Sequence, residues 1–288
     1  MQTPIERRWA TVRGHRMSYQ VTGPEDRPVV VLLHGLASDS DTWEYAVPEL
    51  SARGLRVIAV DLLGHGDSDK PASGYLLDDF ADQLEEFFIA IGLESATLCG
   101  HSLGGAIAMH VAYRYPERVQ RLVLVAAGGL GREVHFGLRA GALPGARQIV
   151  GAVMGPTMRR LYATQTLHRL LRLKPEQVRN LSRVGRSLAD RRGRRAFFAS
   201  LRGVIEPGGQ IGSYIEAQYL AKHIPTLVVW SEKDVVIPVK HAVATHEYLP
   251  GSRLVVFPGG GHEPHRRHAI PFADAVAQLI EEDAQPDA

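Results

Sequence analysis

Ser95-Ala-Thr-Leu-Cys-Gly100-His-Ser102-Leu-Gly104-Gly105-Ala-Ile-Ala-Met109 decides the fold. Ser95 to Cys99 reads as a strand, and Leu103 to Tyr115 reads as a helix that Pro116 stops. Between them Gly100-His101-Ser102-Leu103-Gly104 matches the nucleophile-elbow pattern, with a strand before it and a helix after it. Gly100, Gly104 and Gly105 carry no Cβ, so a strained backbone and a close helix-to-strand approach become tolerable. Such a turn lifts the Ser102 hydroxyl above the end of the sheet, at the positive end of a helix, where developing negative charge is favoured. A serine hydroxyl is a poor nucleophile until a base removes its proton, so a histidine and an acid are expected elsewhere in the chain.

The same strand–helix alternation extends in both directions. Arg8 to Val12 and Met17 to Val21 flank Gly14 as an opening hairpin. Pro28-Val-Val-Val-Leu-Leu33 is apolar without alternation, as in a strand covered on both faces, and Arg56-Val-Ile-Ala-Val-Asp61 is the next strand. Phe80, Leu84, Phe87, Phe88 and Ile91 recur at helical spacing within Asp78 to Ile91. Val119 to Ala126, Thr226 to Trp230 and Arg253 to Phe257 are further strands, with helices expected over Lys240 to Tyr248 and Pro271 to Glu282. Strands separated by helices require crossover connections, which predicts an α/β, mostly parallel, doubly wound sheet. From Gly128 to Lys222 no strong strand is legible, only Gly-punctuated helical stretches rich in Leu and Arg. The expected organisation is a core from residues 1–127, a helical cap inserted at 128–222, and the rest of the core at 223–288.

A chain of 288 residues suits one domain with an insertion. No apolar run is long enough to span a membrane, and the polar Met1-Gln-Thr-Pro-Ile-Glu-Arg-Arg8 lacks a signal-peptide core, so a cytoplasmic protein is expected. One cysteine, Cys99, excludes an intrachain disulfide and a thiolate metal cluster. The net charge of +2 hides an asymmetry: Leu130 to Ile205 carries sixteen Arg or Lys against three acids, leaving the remainder strongly acidic. Blocks such as Arg191-Arg192-Gly-Arg194-Arg195 attract nucleic acid, anionic lipid or acidic substrates, or simply form a solvated helical face. The solvated face is the expectation, with no nucleic-acid partner and a small acyl substrate that an anionic group would suit. Oligomeric state leaves no trace in the sequence.

The acid and base are expected after the two late strands. Ser231-Glu-Lys-Asp234 follows one, placing Asp234 beyond a strand's carboxyl end, with Glu232 as the alternative acid. Pro258-Gly-Gly-Gly-His262-Glu-Pro264 follows the other, and its glycines let His262 fold back toward Ser102. In these roles His262 is the general base and Asp234 holds its tautomer. Two backbone amides must meet the oxyanion. Leu103 follows the nucleophile directly, and Leu36 follows His34-Gly35. His34 either braces that loop or is a satisfied polar residue near the site, and with Met154 and Met158 it is a candidate to line the substrate pocket. Met154 and Met158, with Leu161, Leu167, Leu170, Leu171, Phe197 and Phe198, either line an apolar substrate pocket or form the cap's own packing. His262, His265 and His268 have a metal-like spacing, but the first is claimed by the triad, so neither metal nor cofactor is expected.

The order His34-Gly35, then Asp61-Leu-Leu-Gly64-His-Gly66-Asp-Ser68, then Gly100-His-Ser102-Leu-Gly104-Gly105, then Asp234 and Gly261-His262, resembles the α/β-hydrolase superfamily over nearly the whole chain. The resemblance weakens only in the cap. It implies that the cap covers a substrate pocket and that Asp61 to Ser68 is a structural loop without chemistry. Epoxide hydrolases and haloalkane dehalogenases of that superfamily carry aspartate at the nucleophile position, so Ser102 argues against both. Acyl chemistry through an acyl-enzyme is implied, with carboxylic ester hydrolysis expected first. Carbon–carbon cleavage of meta-ring-fission diketones comes next; those members read Gly-Asn-Ser-Met-Gly-Gly and place Trp after the catalytic histidine, where this chain has His101, Leu103 and Glu263. Cofactor-free haloperoxidase or perhydrolase behaviour follows, and a non-catalytic ligand receptor is the reading from a different class.

Overall fold

The computed structural model describes residues 4–153, 184–185, 187–188, 190–211, 224–249 and 251–283. The chain opens with an antiparallel hairpin of β1 (Glu6–Val12) and β2 (His15–Thr22), turned at Arg13 and Gly14, both at positive φ. Alternation follows through β3 (Val29–Leu33), α1 (Ala46–Ala52), β4 (Arg56–Val60), α2 (Leu77–Ile91), β5 (Ala96–His101), α3 (Leu103–Arg114) and β6 (Val119–Val125). Next come α4 (Phe136–Ala142), α5 (Ala146–Val153), α6 (Arg191–Val204) and a small hairpin of β7 (Ile205–Glu206) and β8 (Gly209–Gln210). The large sheet resumes at β9 (Thr226–Lys233), followed by α7 (Lys240–Tyr248), β10 (Arg253–Gly260), α8 (Pro264–Arg267) and α9 (Ala269–Asp283).

Eight strands form one sheet in the order β1-β2-β4-β3-β5-β6-β9-β10. The pairings β1/β2 and β2/β4 are antiparallel, and every pairing from β4 to β10 is parallel. The doubly wound, mostly parallel sheet read from the sequence is therefore the observed one. Its apolar strands are covered on both faces, as parallel sheets require. Along β3, Val30 and Leu32 face a cluster with Trp43, Val47 and Leu50 from the α1 side and Phe272, Val276 and Ile280 from α9. Val31 and Leu33 point the other way, into Phe80, Leu84 and Phe87 of α2 and Ile107 and Val111 of α3. Each such Leu, Ile, Val or Phe contributes about 1.5–3 kcal/mol by leaving water. Among the described residues no helix is long and apolar enough to cross a membrane.

The topology also locates a crevice. From β3 the chain runs outward to β4 on one side, whereas from β5 it runs to β6 on the other. The loops leaving β3 and β5 therefore diverge above the carboxyl ends of adjacent strands, where open α/β sheets form their sites.

The sequence reading missed α1, the β7–β8 hairpin and the four-residue α8. α1 has only seven residues and contains Pro48, which its first turn tolerates because that amide has no helical acceptor. The β7–β8 hairpin lies within the stretch read as strandless; its signal was the Pro207-Gly208 turn. β5 also continues two residues beyond Cys99, so His101 is a strand residue.

The Asp61-to-Ser68 loop follows the carboxyl end of β4 and is braced by its neighbours. Asp61 is buried and accepts from the Ser40 amide at 2.6 Å, the Asp67 amide at 3.0 Å and Arg7 Nη1 at 3.1 Å. Burial opposes its charge, but His34 and these amides outweigh burial and hold the carboxyl below its ordinary value. His65 is fully buried beside His34, ring centroids 5.1 Å apart, and burial reinforced by His34 pushes it down to about 3. The folded chain thus keeps His65 neutral while the unfolded chain takes up a proton below pH 6.5. Stability present above pH 6.5 is lost as the pH falls from there toward 3, and by pH 5 His65 costs about 2 kcal/mol. Urea melts at pH 7 and pH 5 should show a smaller loss for His65→Gln than for wild type. Equal losses would show that His65 does not carry the effect.

Candidate active site

Ser102 sits between β5 and α3 with φ 54° and ψ −115°, a backbone conformation that costs about 1–3 kcal/mol. The surroundings hold it there. Its amide donates to the Val125 carbonyl at 3.0 Å, and its carbonyl accepts from the amides of Gly105 at 3.0 Å, Ala106 at 3.3 Å and Gly128 at 2.9 Å. The elbow closes only because glycine occupies the contact points. A Cβ on Gly100 would overlap the Gly104 carbonyl, one on Gly104 would overlap the Leu33 carbonyl, and one on Gly105 would overlap Ala127.

Asp234 follows β9 and is buried. Its Oδ1 accepts from the amides of Val236 at 2.8 Å and Ile237 at 3.1 Å, leaving Oδ2 aimed at His262 Nδ1, 2.8 Å away. Nδ1 therefore carries the proton, and the lone pair falls on Nε2, which is buried and has no hydrogen-bond partner among the described residues. Glu232, the other acid considered, is exposed and accepts only the Gly259 amide, at 3.3 Å. The chain reaches back from β10 through Gly259 and Gly261, both at positive φ, and His262 lines the same cavity as Ser102.

Such a glycine loop needs an anchor, and His101 supplies one. Its Nε2–H donates to the His262 carbonyl at 2.7 Å, tying the loop to the residue bonded directly to Ser102. The His101 ring also packs 4.8 Å from the rings of His262 and His265, and His265 lies 4.2 Å from Trp43. Burial, reinforced by His262, pushes His101 well below the ordinary histidine value. Burial and His101 do the same for His265. Burial thus disfavours protonation of both rings.

Leu103 is the first residue of α3, and its amide, like that of Leu36, makes no hydrogen bond among the described residues. Leu36 and Ser102 together border two cavities. The Leu36 loop is seated on the elbow, since a Cβ on Gly35 would come within 3.1 Å of His101 Nδ1 and 3.2 Å of Ser102 Cβ. His34 is fully buried and spends both ring nitrogens on backbone: Nδ1 on the Gly35 carbonyl at 2.7 Å, and Nε2 on the Leu62 amide at 3.1 Å. It borders neither of these two cavities and holds the Gly35 loop to the loop after β4.

The wider cavity, about 300 Å³, lies on the His262 side; the narrower, about 40 Å³, lies toward Leu103 and α3. Met154 and Met158, with Leu161, Leu167, Leu170 and Leu171, fall outside the described residues. Phe198 packs with Ala142, Leu201 and Ile205, and against Phe197 at 5.0 Å, rather than lining either cavity. Several arginines of the basic segment hold backbone carbonyls: Arg194 that of Leu188, Arg139 that of Pro207 and Arg202 that of Leu143. Among the described residues no three His, Cys, Asp or Glu side chains are placed to hold a metal ion.

Comparison with known proteins matches residues 28–268 to the model of the α/β-hydrolase fold family. The chain belongs to the α/β-hydrolase family. An uncharacterized protein of Mycobacterium tuberculosis is 34% identical, covering 96% of this chain and 82% of that protein. The pimeloyl-[acyl-carrier protein] methyl ester esterase of Nitrosomonas europaea is 35% identical, covering 82% and 89%. The solved meta-cleavage product hydrolase of Pseudomonas fluorescens is 26% identical with a TM-score of 0.66, covering 96% and 97%. Within this α/β-hydrolase the sequence named Ser102, Asp234 and His262 as candidates through their local patterns. It did not supply the roles of His101 and Gln210. His101 has a local signal, being the side chain next to Ser102. Gln210 has none, because it reaches Gly129 across more than eighty residues.

Replacing His101 by Phe keeps the ring packing and removes the donor to the His262 loop. We expect kcat to fall about 10- to 100-fold with little change in KM, because a small misplacement of a catalytic group costs that much. His101→Asn should recover part of the loss, and the thermal melts of both variants should stay close to wild type. Unchanged kcat in the Phe variant would rule out the positioning role.

Proposed function

We propose that this α/β-hydrolase is a serine hydrolase acting on carboxylic esters through an acyl-enzyme, with residues 128–222 acting as a cap over the site. The observation that carries the reading is the Asp234–His262 pair at 2.8 Å, whose free nitrogen is kept buried beside the cavity that Ser102 lines. His262 Nε2 removes the Ser102 proton as Oγ attacks the ester carbonyl. The amides of Leu36 and Leu103 receive the oxyanion, and the N-terminus of α3 adds its dipole. Collapse of the tetrahedral intermediate breaks the acyl–oxygen bond, and the imidazolium returns its proton to the departing alcohol. A water then attacks the acyl-enzyme with His262 again as base, releasing the acid and restoring Ser102. Two backbone amides and the imidazole N–H satisfy the Asp234 carboxylate and hold it in place.

Two relatives support acyl or vinylogous chemistry without choosing between them. One is named for a methyl ester, and the 2-hydroxymuconate semialdehyde hydrolase of Pseudomonas, 31% identical over 83% of this chain and 81% of that protein, is named for a semialdehyde. The elbow residues His101 and Leu103, and Glu263 after the histidine, favour the ester reading over carbon–carbon cleavage.

A fluorophosphonate probe should label wild type and not Ser102→Ala. Ester turnover should fall by about 10⁴ or more in Ser102→Ala, and by about 10⁴ in Asp234→Asn. Purified protein given p-nitrophenyl acetate and a meta-cleavage diketone in parallel should consume the ester. Consumption of the diketone alone would replace ester hydrolysis by carbon–carbon cleavage, and absence of labelling would remove the serine-hydrolase reading altogether.

A further inference from the structure

Among the described residues two cavities meet at Ser102, unequal in size, unequal in chemistry and unequally placed about the proton donor. Their described lining residues have only Leu36 and Ser102 in common, so a molecule bound to the hydroxyl extends into each separately. On the reading of Ser102 as an acylated nucleophile, we propose that the site selects esters of short aliphatic acids with bulky alcohols, the acyl chain in the narrow cavity and the alcohol in the wide one.

Orientation follows from proton bookkeeping. When the acyl–oxygen bond breaks, the departing oxygen must take a proton from His262, so the alcohol lies within hydrogen-bond reach of that ring. His262 borders the wide cavity and not the narrow one. The acyl chain, on the opposite side of the carbonyl carbon, is left with the narrow cavity, beside Leu103, whose amide is placed for the carbonyl oxygen.

Size sets the class. An apolar cavity of about 150 Å³ holds benzene. The narrow cavity, about 40 Å³, is far below that and accepts only a few carbon atoms. The wide cavity, about 300 Å³, has room for a ring. Chemistry points the same way. Ala106, Val134, Leu138, Val204 and Ile237 give the narrow cavity an apolar wall without a charged side chain. Apart from Ser102, its polar side chain among the described residues is Gln210, whose Oε1 accepts from the Gly129 amide at 2.8 Å. Its Nε2 donates to the carbonyls of Gly131 at 2.8 Å and Glu133 at 3.2 Å, so it is committed to backbone and offers a polar acyl group little. The wide cavity is bordered by Ser38, Glu263 and Arg267 and suits a polar or aromatic alcohol. Expansion of the narrow side is resisted because Leu138 and Val204 also pack onto the cluster of Ala142, Phe198, Leu201 and Ile205.

Benzyl acetate and methyl phenylacetate test this directly. They are isomers with similar alcohol leaving-group basicity, and they exchange which side of the ester carries the ring. Wild type should hydrolyse benzyl acetate with kcat/KM about tenfold or more above methyl phenylacetate, since a few misplaced carbons in an apolar pocket cost that much. Leu138→Ala, or Val204→Ala if the first variant folds poorly, should narrow the ratio by raising the rate on methyl phenylacetate. Equal or reversed rates in an enzyme that a fluorophosphonate labels at Ser102 would overturn the orientation, as would failure of that labelled enzyme to hydrolyse benzyl acetate. Loss of labelling together with loss of turnover would instead count against the serine-hydrolase reading on which the orientation rests.

Discussion

The close approach of backbone to backbone at the top of β5 is the constraint on which the rest of the site depends. Gly100 lies against the Gly104 carbonyl and Gly104 against the carbonyls of Leu33 and His34, distances that leave no space for even one methyl group. This packing brings the start of α3 down onto the ends of β3 and β5. The chain between them then has to turn within one residue, and Ser102 takes the positive φ that such a turn requires. The strain is sustained by four hydrogen bonds from the Ser102 backbone to β6, α3 and the Gly128 loop. The exposed hydroxyl, the helix end behind it and the adjacent Leu36 loop are consequences of that one contact.

A second layer of contacts keeps three separate loops in register with the elbow. His34 ties the Gly35 loop to the loop after β4, and Gln210 ties the Gly129–Glu133 segment to the β7–β8 hairpin. His101 ties the His262 loop to β5. Each uses a side chain that hydrogen-bonds backbone groups, so each locks a loop without introducing a charge. Burial disfavours protonation of His101. The Asp234–His262 contact is the charged exception, and two amides stabilise its carboxylate from behind.

How much of this was legible in the chain varied with the range of the interaction. The strands β3, β4, β5, β6, β9 and β10 announced themselves as short apolar runs, because both of their faces are covered and no polar alternation interrupts them. α1 and the β7–β8 hairpin did not, being too short for any period to register. Asp234 and His262 could be named because each follows directly on a strand, and a strand's carboxyl end is where such a sheet presents its loops. The choice between Asp234 and Glu232 was open until geometry put one in the buried position and the other on the surface. His34 was equally open, and its two backbone partners make it a brace rather than a lining residue.

Ser102, its flanking glycines and the strand–helix alternation were determined by the sequence alone, because steric exclusion at a tight turn and hydrophobic periodicity act between near neighbours. Which atoms of His101, Gln210 and His262 meet which backbone groups was decided only by the tertiary structure. Those contacts span from about eighty to more than one hundred and sixty residues, and nothing in local spacing encodes them. The division of the space around Ser102 into a narrow apolar side and a wider, partly polar one is likewise tertiary. Its walls come from α2, α3, α4, α6 and the loops after β3, β8, β9 and β10, and only their packing sets the volume.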